Sequence, residues 1–404
     1  MTKCRVCHHK TDLIISLGKM PSANGFLDKP SDKESFYQLF VVLCPQCFMV
    51  QVGETLKPEV LFNENYPFIS STSKAMAVHF KRLAQEIIKS VSSEKSPFVV
   101  ELGCNDGIML RHIVSRGIRC LGVEPSANVA ALAEQKGIRI LHQFFNQKTA
   151  TEIIEKYGQA DVISASNTMC HIPDLNSVFA GVKVLLKKDG LLLFEDPYLL
   201  DIIKKSSFDQ IYDAHVYYFS GLSVDRLAAR HGLQLVDMQH QNVHGGSMRY
   251  YLKRGISHQV TEKAKKHWVQ EKKLRLHQLE GYASFEERVN KICRDLKKTL
   301  LKIKQRSPRV VGYGATAKST TLLNYAKIGS DIIDYVSDIT PTKIGKYTPG
   351  THIPIKSHDF FRVDNPAYTL LLAWNHKKEI FKKEKEYRKK GGKFILYFPK
   401  VVIK

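Results

Sequence analysis

Short apolar runs alternate with helical stretches through the middle of the chain. Buried strands are predicted for four runs, at 98–101, 120–124, 161–164 and 191–194. Helices are predicted before the first strand, at 73–90, and before the fourth, at 175–187. Alternation at this spacing is typical of a doubly wound parallel sheet. Such a sheet binds ligands at the carboxyl ends of its strands.

The pattern changes after residue 255. Residues 257–306 are charged, and apolar side chains recur at helical spacing at Phe285, Val289, Ile292, Leu296 and Leu300. This stripe indicates an amphipathic connecting helix with a solvated basic face. A second α/β unit is then predicted, with strands at 308–314, 332–336, 368–373 and 393–398.

Two C-x2-C pairs lie near the start of the chain, at Cys4, Cys7, Cys44 and Cys47. Paired knuckles of this kind bring four thiolates to one tetrahedral zinc. We interpret the cluster as a structural zinc site, with free thiols and a catalytic zinc as alternatives. Four thiolates leave no open position for catalysis. His8 and His9 adjoin the first pair and are expected to face solvent.

These patterns divide the chain into four parts. They are a zinc-binding domain at 1–66, a doubly wound sheet at 67–255, a helical connection at 256–306 and a Rossmann-like α/β domain at 307–404. Within the first part, the sequence predicts a loop at 17–21 and a strand at 36–43.

Composition raises the question of a polyanionic partner and argues against a secreted or membrane protein. The 404 residues include 61 Lys and Arg against 39 Asp and Glu, for a net charge of +22, which raises the possibility of a polyanionic partner. The net charge is 0 for 1–66, +4 for 67–255, +8 for 256–306 and +10 for 307–404. The sequence shows neither a secretory leader nor a run of about 18 apolar residues, so we expect a soluble, cytoplasmic protein without a membrane partner.

A glycine loop follows the first strand of the doubly wound unit. It comprises Glu101, Gly103, Asn105, Asp106 and Gly107, and Glu124 ends the next strand about 20 residues on. The loop lacks the G-x-G-x-x-G of dinucleotide sites and resembles the S-adenosylmethionine-binding motifs of class I methyltransferases. A nicotinamide site and ordinary loop glycines are the alternatives. The resemblance also assigns Phe144, Phe145 and Asn167 to the cofactor, although an aromatic pair is often simply core.

Taken together with the cysteines, the motifs resemble a more specific family, the sugar C-methyltransferases. The motifs are ELGCNDG (101–107), NTMCHIPD (167–174), IYDAHVYYFS (211–220), HGGSMR (244–249), GYGATAK (312–318) and GKYTPGTHIP (345–354). They occur in order along the whole chain. The resemblance implies a class I methyltransferase sheet between a zinc domain and a Rossmann-like domain. It also implies methyl transfer from S-adenosylmethionine to C-3 of a nucleotide-linked 4-keto-deoxysugar, with thymidine diphosphate as the expected carrier.

The resemblance also implies catalytic residues. Methylation at carbon requires a base, a donor to the enolate oxygen and groups that orient the sugar. We assign His215 as the base and Tyr212 as the donor to the C-4 oxygen. Tyr66 and His171 would orient the sugar and the cofactor. Without the resemblance, each would be read as a packed core residue.

Two further motifs are assigned to the substrate. One supplies His244, Gly245, Ser247 and Arg249, with a tight turn in the sheet as the alternative. The other supplies Tyr313 and Lys318 in a loop that follows a strand and opens a helix, where a diphosphate could bind. A vestigial Rossmann turn and a second dinucleotide site are the alternatives for this loop.

One position departs from the family pattern, because Ala214 stands where members usually have glutamate. An engineered substitution, a natural variant with altered substrate preference and a weakened enzyme would each explain it. Two other functions stay open. RNA methylation is suggested by the charge and the zinc knuckles, and a non-catalytic binding homologue is suggested by Ala214. The basic run at 376–390 alternates with Glu379, Glu384 and Glu386, which favours a solvated helix over a nucleic-acid surface. We expect a small-molecule substrate, no nucleic acid, and a monomer or homodimer.

Overall fold

The computed structural model describes residues 2–64, 66, 68–307 and 309–404. Residue 308, the first of the strand predicted at 308–314, lies outside the described residues. The described strands are β1 (Asp12–Pro21), β2 (Phe36–Leu43), β3 (Val50–Val52), β4 (Phe98–Leu102), β5 (Arg119–Val123), β6 (Ile140–Leu141), β7 (Ala160–Ser166), β8 (Leu186–Pro197), β9 (Tyr217–Tyr218), β10 (Leu233–Gln241), β11 (Ser247–Arg254), β12 (Val310–Tyr313), β13 (Val336–Asp338), β14 (Ile355–Ser357), β15 (Tyr368–Leu371), β16 (Lys393–Leu396) and β17 (Val402–Ile403).

Helices cover the sheets and connect them. They are α1 (Pro58–Leu61), α2 (Lys74–Ser90), α3 (Leu110–Val114), α4 (Ala127–Glu134), α5 (Gln147–Tyr157), α6 (Leu175–Leu185), α7 (Leu199–Lys205), α8 (Gly221–Arg230), α9 (Glu262–Lys273), α10 (Phe285–Arg306), α11 (Ala317–Tyr325), α12 (His358–Asp364), α13 (Lys377–Lys383) and α14 (Lys385–Lys389).

The strands form three sheets. The first is antiparallel, in the order β1-β2-β3-β9, and thus takes its last strand from the central part of the chain. The second has the order β10-β11-β8-β7-β4-β5-β6, with β4 to β8 parallel and the hairpin β10–β11 antiparallel at one edge. The third has the order β14-β13-β12-β15-β16-β17, parallel except for β17.

The second sheet confirms the predicted doubly wound unit and fixes where its ligand lies. The chain reverses direction across the sheet at β4, which has β5 on one side and β7 on the other. Loops that leave the carboxyl ends of β4 and β7 diverge at such a point and open a crevice. The glycine loop after β4 and Asn167 after β7 therefore meet there.

Packing confirms the predicted stripe of the connecting helix. Phe285, Val289, Ile292, Leu296 and Leu300 are all buried on α10. They belong to one apolar core that extends through all three sheets. Hydrogen bonds also attach the third unit to the others, because α11 donates from Thr320 Oγ1 to the Ala23 carbonyl (2.9 Å) and from Thr321 Oγ1 to the Ile211 carbonyl (2.7 Å).

Two sequence predictions need correction. Residues 17–21 are not a loop, because β1 continues to Pro21, with an irregular register between Ser16 and Gly18. Gly18 has φ +76°, so the glycine accommodates a bulge within the strand. Proline is tolerated because β1 is an edge strand. The strand predicted at 332–336 begins only at Val336, because the amides of Ile332 and Ile333 both turn back to the Gly329 carbonyl.

Candidate active site

The four cysteines converge as the spacing predicts. Their sulfur atoms all lie within 4.8 Å of one another, with Cys4 and Cys47 at 3.5 Å and Cys7 and Cys44 at 3.4 Å. Tetrahedral Zn–S bonds of about 2.3 Å place sulfur atoms about 3.8 Å apart, so the cluster fits zinc.

The two knuckles have the same backbone geometry. In the first knuckle, the Cys4 amide donates to the His9 carbonyl and the His8 amide donates to the Cys4 carbonyl. In the second, the Cys44 amide donates to the Met49 carbonyl and the Phe48 amide donates to the Cys44 carbonyl. His8 and Phe48 share φ +62°, the left-handed turn that closes each knuckle. His8 and His9 lie outside the four-sulfur cluster, and His9 is exposed as expected.

A cleft opens at the carboxyl edge of the second sheet, with an empty volume of about 870 Å³. It is lined by many of the residues assigned to the cofactor or to catalysis, and by one assigned to the substrate, His244. The others are Tyr66, Gly103, Asn105, Glu124, Phe144, Phe145, Asn167 and His171. The cleft is mainly apolar and aromatic, as expected for a site that encloses a nucleoside and a sulfonium.

The glycine loop approaches the opposite wall closely. Gly103 has φ +65°, and a Cβ built there would lie 2.5 Å from Thr168 Oγ1, so only glycine fits. Asn105 also adopts a left-handed conformation, with φ +50°. Its amide donates to Glu124 Oε2 (2.9 Å), which joins the first loop to the end of β5.

The carboxyl groups around the loop lie in a protein interior with few charges to balance them. Burial raises the pKa of Glu124, whose two oxygens accept the Asn105 and Ser126 amides. Burial also raises the pKa of Glu101 well above its ordinary value, and its Oε2 has no hydrogen-bond partner among the described residues. Asp106 instead pairs with Lys136 Nζ at 2.8 Å. Glu101 itself does not line the cleft, whereas the next two residues, Leu102 and Gly103, do.

A chain segment after α1 covers one side of the cleft, and two asparagines fix it. The Asn105 side chain accepts from the Ser70 amide (2.9 Å) and donates to the Phe68 carbonyl (3.0 Å). Asn128 Nδ2 donates to the Tyr66 carbonyl at 2.9 Å. Because these contacts involve the loop after β4 and helix α4, Tyr66 is held over the cofactor side of the cleft.

Tyr212 and His215 form a hydrogen-bonded pair. The Tyr212 hydroxyl lies 2.6 Å from His215 Nε2, and His215 Nδ1 lies 2.9 Å from the Gln210 carbonyl. A carbonyl only accepts, so Nδ1 carries the proton and Nε2 is the basic nitrogen. Burial lowers the pKa of His215 well below its ordinary value, which keeps the imidazole neutral.

His171 connects this pair to the cofactor cleft. Its ring lies 5.0 Å from that of His215, and it lines the cleft while His215 lies behind it. His171 Nδ1 donates to the Ala214 carbonyl at 2.5 Å. Burial lowers the pKa of His171 to about 4. The Cys170 thiol lies within 4.8 Å of ring nitrogens of both histidines.

Lys318 reaches the same place from the third unit. Its ammonium lies 5.8 Å from the ring centroid of Tyr212. Burial lowers the pKa of His244 to about 3, and the charge of Lys318 acts in the same direction. The structure thus brings together six residues assigned to catalysis or substrate: Tyr66, His171, Tyr212, His215, His244 and Lys318.

Other residues assigned to the substrate lie elsewhere. Gly245 belongs to the hairpin turn between β10 and β11 and packs against Trp374, and Ser247 begins β11. The Arg249 guanidinium is engaged by Glu195 and Glu86, and the Tyr313 hydroxyl donates to Glu384 at 2.8 Å. Gly245, Ser247, Arg249 and Tyr313 are not among the residues that line the cleft.

Some residues of this region were not found from the sequence. Thr168 faces the glycine loop, Asn128 holds Tyr66, and Asp209 lies beside the Tyr212–His215 segment. Thr168 could have been found, since it lies within the recognised motif NTMCHIPD. Asn128 and Asp209 act through contacts between distant segments, for which a single sequence carries no signal. The Asp213 carboxylate is turned toward the first part of the chain, where it accepts from the Ser22 hydroxyl and the Ala23 amide.

Three family models match the chain in succession. They are "Putative zinc binding domain" over residues 4–62, "Methyltransferase domain" over 76–238 and "C-methyltransferase C-terminal domain" over 242–399. C-methyltransferase NovU of Streptomyces niveus is 32% identical over 401 residues, which cover 98% of this chain and 95% of NovU. The chain belongs to the C-methyltransferase family.

Two further similarities cover only part of this C-methyltransferase. The ubiquinone biosynthesis O-methyltransferase of Acinetobacter baylyi is 32% identical over 101 residues, covering 24% of this chain and 42% of that protein. The magnesium protoporphyrin IX methyltransferase (ChlM) of Synechocystis PCC 6803 with bound SAH matches with a TM-score of 0.35 and 11% identity, covering 45% of this chain and 88% of that one.

The matches identify the cofactors of the C-methyltransferase as S-adenosylmethionine and zinc. The cleft beside the glycine loop fits the first and the four cysteines fit the second. Among the described residues, no helix has the length and apolar content needed to span a bilayer.

The zinc cluster should order the segment that carries His215. We expect Cys44→Ser to lose the metal and to speed amide exchange in a peptide spanning 214–219 by at least about tenfold, because β3 then loses its anchor beside β9. Exchange in β4 should not change. Metal analysis and hydrogen–deuterium exchange mass spectrometry measure both effects. Cys120→Ser, outside the cluster, is the matched control, and unchanged exchange at 214–219 after zinc loss would contradict the coupling.

The glycine loop should be intolerant of a side chain. We expect Gly103→Ala to raise the dissociation constant for S-adenosylmethionine at least about tenfold, because the new Cβ combines a contact with Thr168 with left-handed strain. Calorimetric titration measures this. Gly117→Ala is a close control, since Gly117 has φ +70° but no atom within 4 Å of the added Cβ. Equal affinities for the two variants would remove the loop from the cofactor site.

Proposed function

We propose that this C-methyltransferase transfers the methyl group of S-adenosylmethionine to C-3 of a nucleotide-linked 4-keto-deoxysugar. The carrier would be thymidine diphosphate and the product a branched-chain deoxysugar. The observation that supports this most is the Tyr212–His215 pair, which lies directly behind His171 at the cofactor cleft. A buried, neutral base and a phenol donor are the groups that enolisation of a ketone requires.

The reaction needs a carbon nucleophile. A C-3 proton adjacent to the C-4 ketone must be removed, and the electron pair passes into an enolate whose charge rests on the C-4 oxygen. C-3 would then bond to the methyl group of S-adenosylmethionine, held beside the glycine loop and Glu124, as the carbon–sulfur bond breaks to give a neutral thioether. Bound S-adenosylmethionine supplies the methyl group and its leaving group, while the protein supplies the base, the oxygen donors and alignment.

His215 is the proposed base. Its Nδ1–H is fixed on the Gln210 carbonyl, so Nε2 offers the lone pair. In the free enzyme the Tyr212 hydroxyl covers that nitrogen. When Tyr212 turns its hydrogen bond to the C-4 oxygen, Nε2 becomes available for the C-3 proton. The low pKa of the buried imidazole means that this nitrogen is unprotonated at neutral pH.

Tyr66 and His171 are proposed to align the two substrates. Tyr66 lines the cofactor cleft from the segment fixed by Asn105 and Asn128, where it can contact the sulfonium and the sugar. His171 lies between the cleft and His215. Its Nδ1 is committed to the Ala214 carbonyl, so Nε2 can accept a sugar hydroxyl.

Isotope transfer tests the function directly. With methyl-labelled S-adenosylmethionine, we expect label in a thymidine diphosphate-linked 4-keto-deoxysugar and none in total RNA. In deuterated water without the methyl donor, we expect exchange at C-3, and His215→Ala should slow it at least about 100-fold because the base is gone. Mass spectrometry follows both reactions, and calorimetric titration with S-adenosylmethionine verifies that the variant is folded.

Two outcomes would contradict these assignments. Label appearing only in RNA would reject the proposed substrate. Normal exchange by His215→Ala would remove His215 as the base while leaving the substrate class intact.

The position of Ala214 gives a second test of the same site. The Ala214 side chain is buried beside Ala23 and Tyr212, and Ala317 adjoins the cluster. We expect Ala214→Glu to restore the carboxylate usual in the family and to raise kcat several-fold, with cofactor affinity unchanged. Initial rates and calorimetry measure the two quantities. Ala214→Gln is the isosteric control without charge, and turnover equal to that of the original chain would show that the position does not limit the reaction.

A further inference from the structure

Lys318 occupies an electrostatically unfavourable position. It lies in the first turn of α11, after the cap residue Thr316, where the helix dipole disfavours a cation. Burial lowers its pKa, which also disfavours the ammonium. Among the described residues, no ion pair within 4.0 Å is recorded for it, although its charge reaches His171, His215 and His244. A cation placed in this way indicates an anion that arrives with the substrate.

The loop before Lys318 offers few free backbone amides to a diphosphate. Phosphate sites use free backbone amides at the start of a helix. Here the Ala315 amide donates to Asp338 Oδ2 (2.7 Å), the Thr316 amide to Ser319 Oγ (2.9 Å) and the Ser319 amide to Thr316 Oγ1 (3.1 Å). Among the described residues, the amides of Ala317 and Lys318 have no partner, so only these two amides and the Lys318 side chain are left for a ligand, and the ammonium lies over the ring of Tyr212.

Asp209 lies in the short helical turn at 208–210, which packs against α11, the helix that carries Lys318. Asp209 is fully buried, and its Oδ2 accepts from Trp374 Nε1 (2.6 Å) and from the Tyr397 hydroxyl (2.8 Å). Its Oδ1 has no hydrogen-bond partner among the described residues. The charge of Asp209 opposes the effect of burial on Lys318. Asp209 also neighbours Gln210, whose carbonyl fixes the tautomer of His215.

We propose that Lys318 is a catalytic residue whose ammonium stabilises the enolate oxygen at C-4, and that Asp209 is a positioning residue which holds the ammonium beside Tyr212. The inference rests on the proposed function and names a second group, besides Tyr212, for the oxygen that becomes charged. Lys318 transfers no proton. The C-3 proton stays on the base, the electron pair of the C–H bond forms the enolate, and the negative charge is paired with the ammonium until C-3 takes the methyl group.

Stabilising the enolate and binding the diphosphate are separable roles for Lys318, because the two groups lie at different carbons of the sugar. The diphosphate is attached at C-1, across the ring from C-4. A group that serves the enolate acts on the rate of enolisation, whereas a group that serves the diphosphate acts on binding. In the absence of the methyl donor, kcat for exchange of the C-3 proton reports the rate of enolisation. The KM of the same exchange reaction reports binding of the nucleotide sugar.

The experiment measures C-3 exchange on a thymidine diphosphate-linked 4-keto-deoxysugar in deuterated water. We expect Lys318→Met to lower kcat for exchange about 100-fold or more with KM changed less than about threefold, as when one oxyanion donor is removed. Lys318→Arg should retain part of the rate. Lys382→Met removes an exposed charge from the same unit and is the matched control. Binding of S-adenosylmethionine verifies the fold, and Lys318→Gln provides a second uncharged variant.

Asp209 is tested through its dependence on Lys318. We expect Asp209→Asn to lower kcat for exchange at least about tenfold, and to have little further effect when Lys318 is already methionine. If the losses of kcat from the two single substitutions multiply in the double variant, Asp209 acts independently of Lys318. Its role would then be limited to its hydrogen bonds with Trp374 and Tyr397, and the proposed positioning of the ammonium would be wrong.

The remaining outcomes are distinguishable. A raised KM with kcat retained in Lys318→Met would assign the ammonium to the diphosphate, and would overturn this inference while the proposed function stands. An unmodified enzyme that neither exchanges nor methylates the nucleotide sugar would reject the proposed function, and this inference with it.

Discussion

The antiparallel pairing of β3 with β9 connects the metal cluster to the candidate catalytic residues. Val50 and Gln51 pair with Tyr218 and Tyr217, and Val52 donates to the Val216 carbonyl at 2.9 Å. Val216 follows His215 directly, and its own amide donates to the Cys170 carbonyl at 2.7 Å. The backbone that carries His215 is therefore held on one side by a zinc-supported strand and on the other by the turn that carries His171. Since β3 has only three residues, the adjacent Cys44–Cys47 knuckle supplies much of the order that so short a strand lacks.

The ionisable groups around the candidate catalytic residues are buried, and their charged forms have few partners of opposite charge. Burial lowers the pKa of His171 to about 4 and raises the pKa of Asp196 to about 8 and that of Asp209 to about 7. Burial therefore disfavours both charged histidines and ionised carboxyl groups, while each charge that remains acts strongly in this low-dielectric interior. For Asp209 the rise is opposed by Trp374, by the charge of Lys318 and by Tyr397, so the carboxylate and the ammonium support each other's charged forms.

The sequence allowed much of this to be predicted, because the relevant signals are local. Cysteine spacing predicts the zinc cluster, periodicity predicts the buried face of α10, and the order of strand, glycine loop and acidic residue predicts the cofactor edge. The loop predicted at 17–21 is wrong because Gly18 and Pro21 are ordinary turn residues that here form a bulge and an edge-strand end. Asp209 could not be predicted, since its partners Trp374 and Tyr397 lie 165 and 188 residues away. Its hydrogen bonds form only when the third unit docks on the second.

The departure at Ala214 is better understood from the backbone than from the missing side chain. The Ala214 carbonyl accepts from His171 Nδ1 and its amide donates to Asp213 Oδ1 at 2.9 Å, so residue 214 positions two neighbours without any side-chain atom. Glutamate, alanine or glutamine could each preserve this geometry. A glutamate at this position would add a carboxylate next to the Tyr212–His215 pair, in the cluster that residue 214 forms with Ala23 and Tyr212. Under the proposed mechanism, that carboxylate would make His215 a stronger base and would also compensate the charge of Lys318. These two effects on the rate oppose each other, and the gain expected for Ala214→Glu requires the effect on His215 to be the larger.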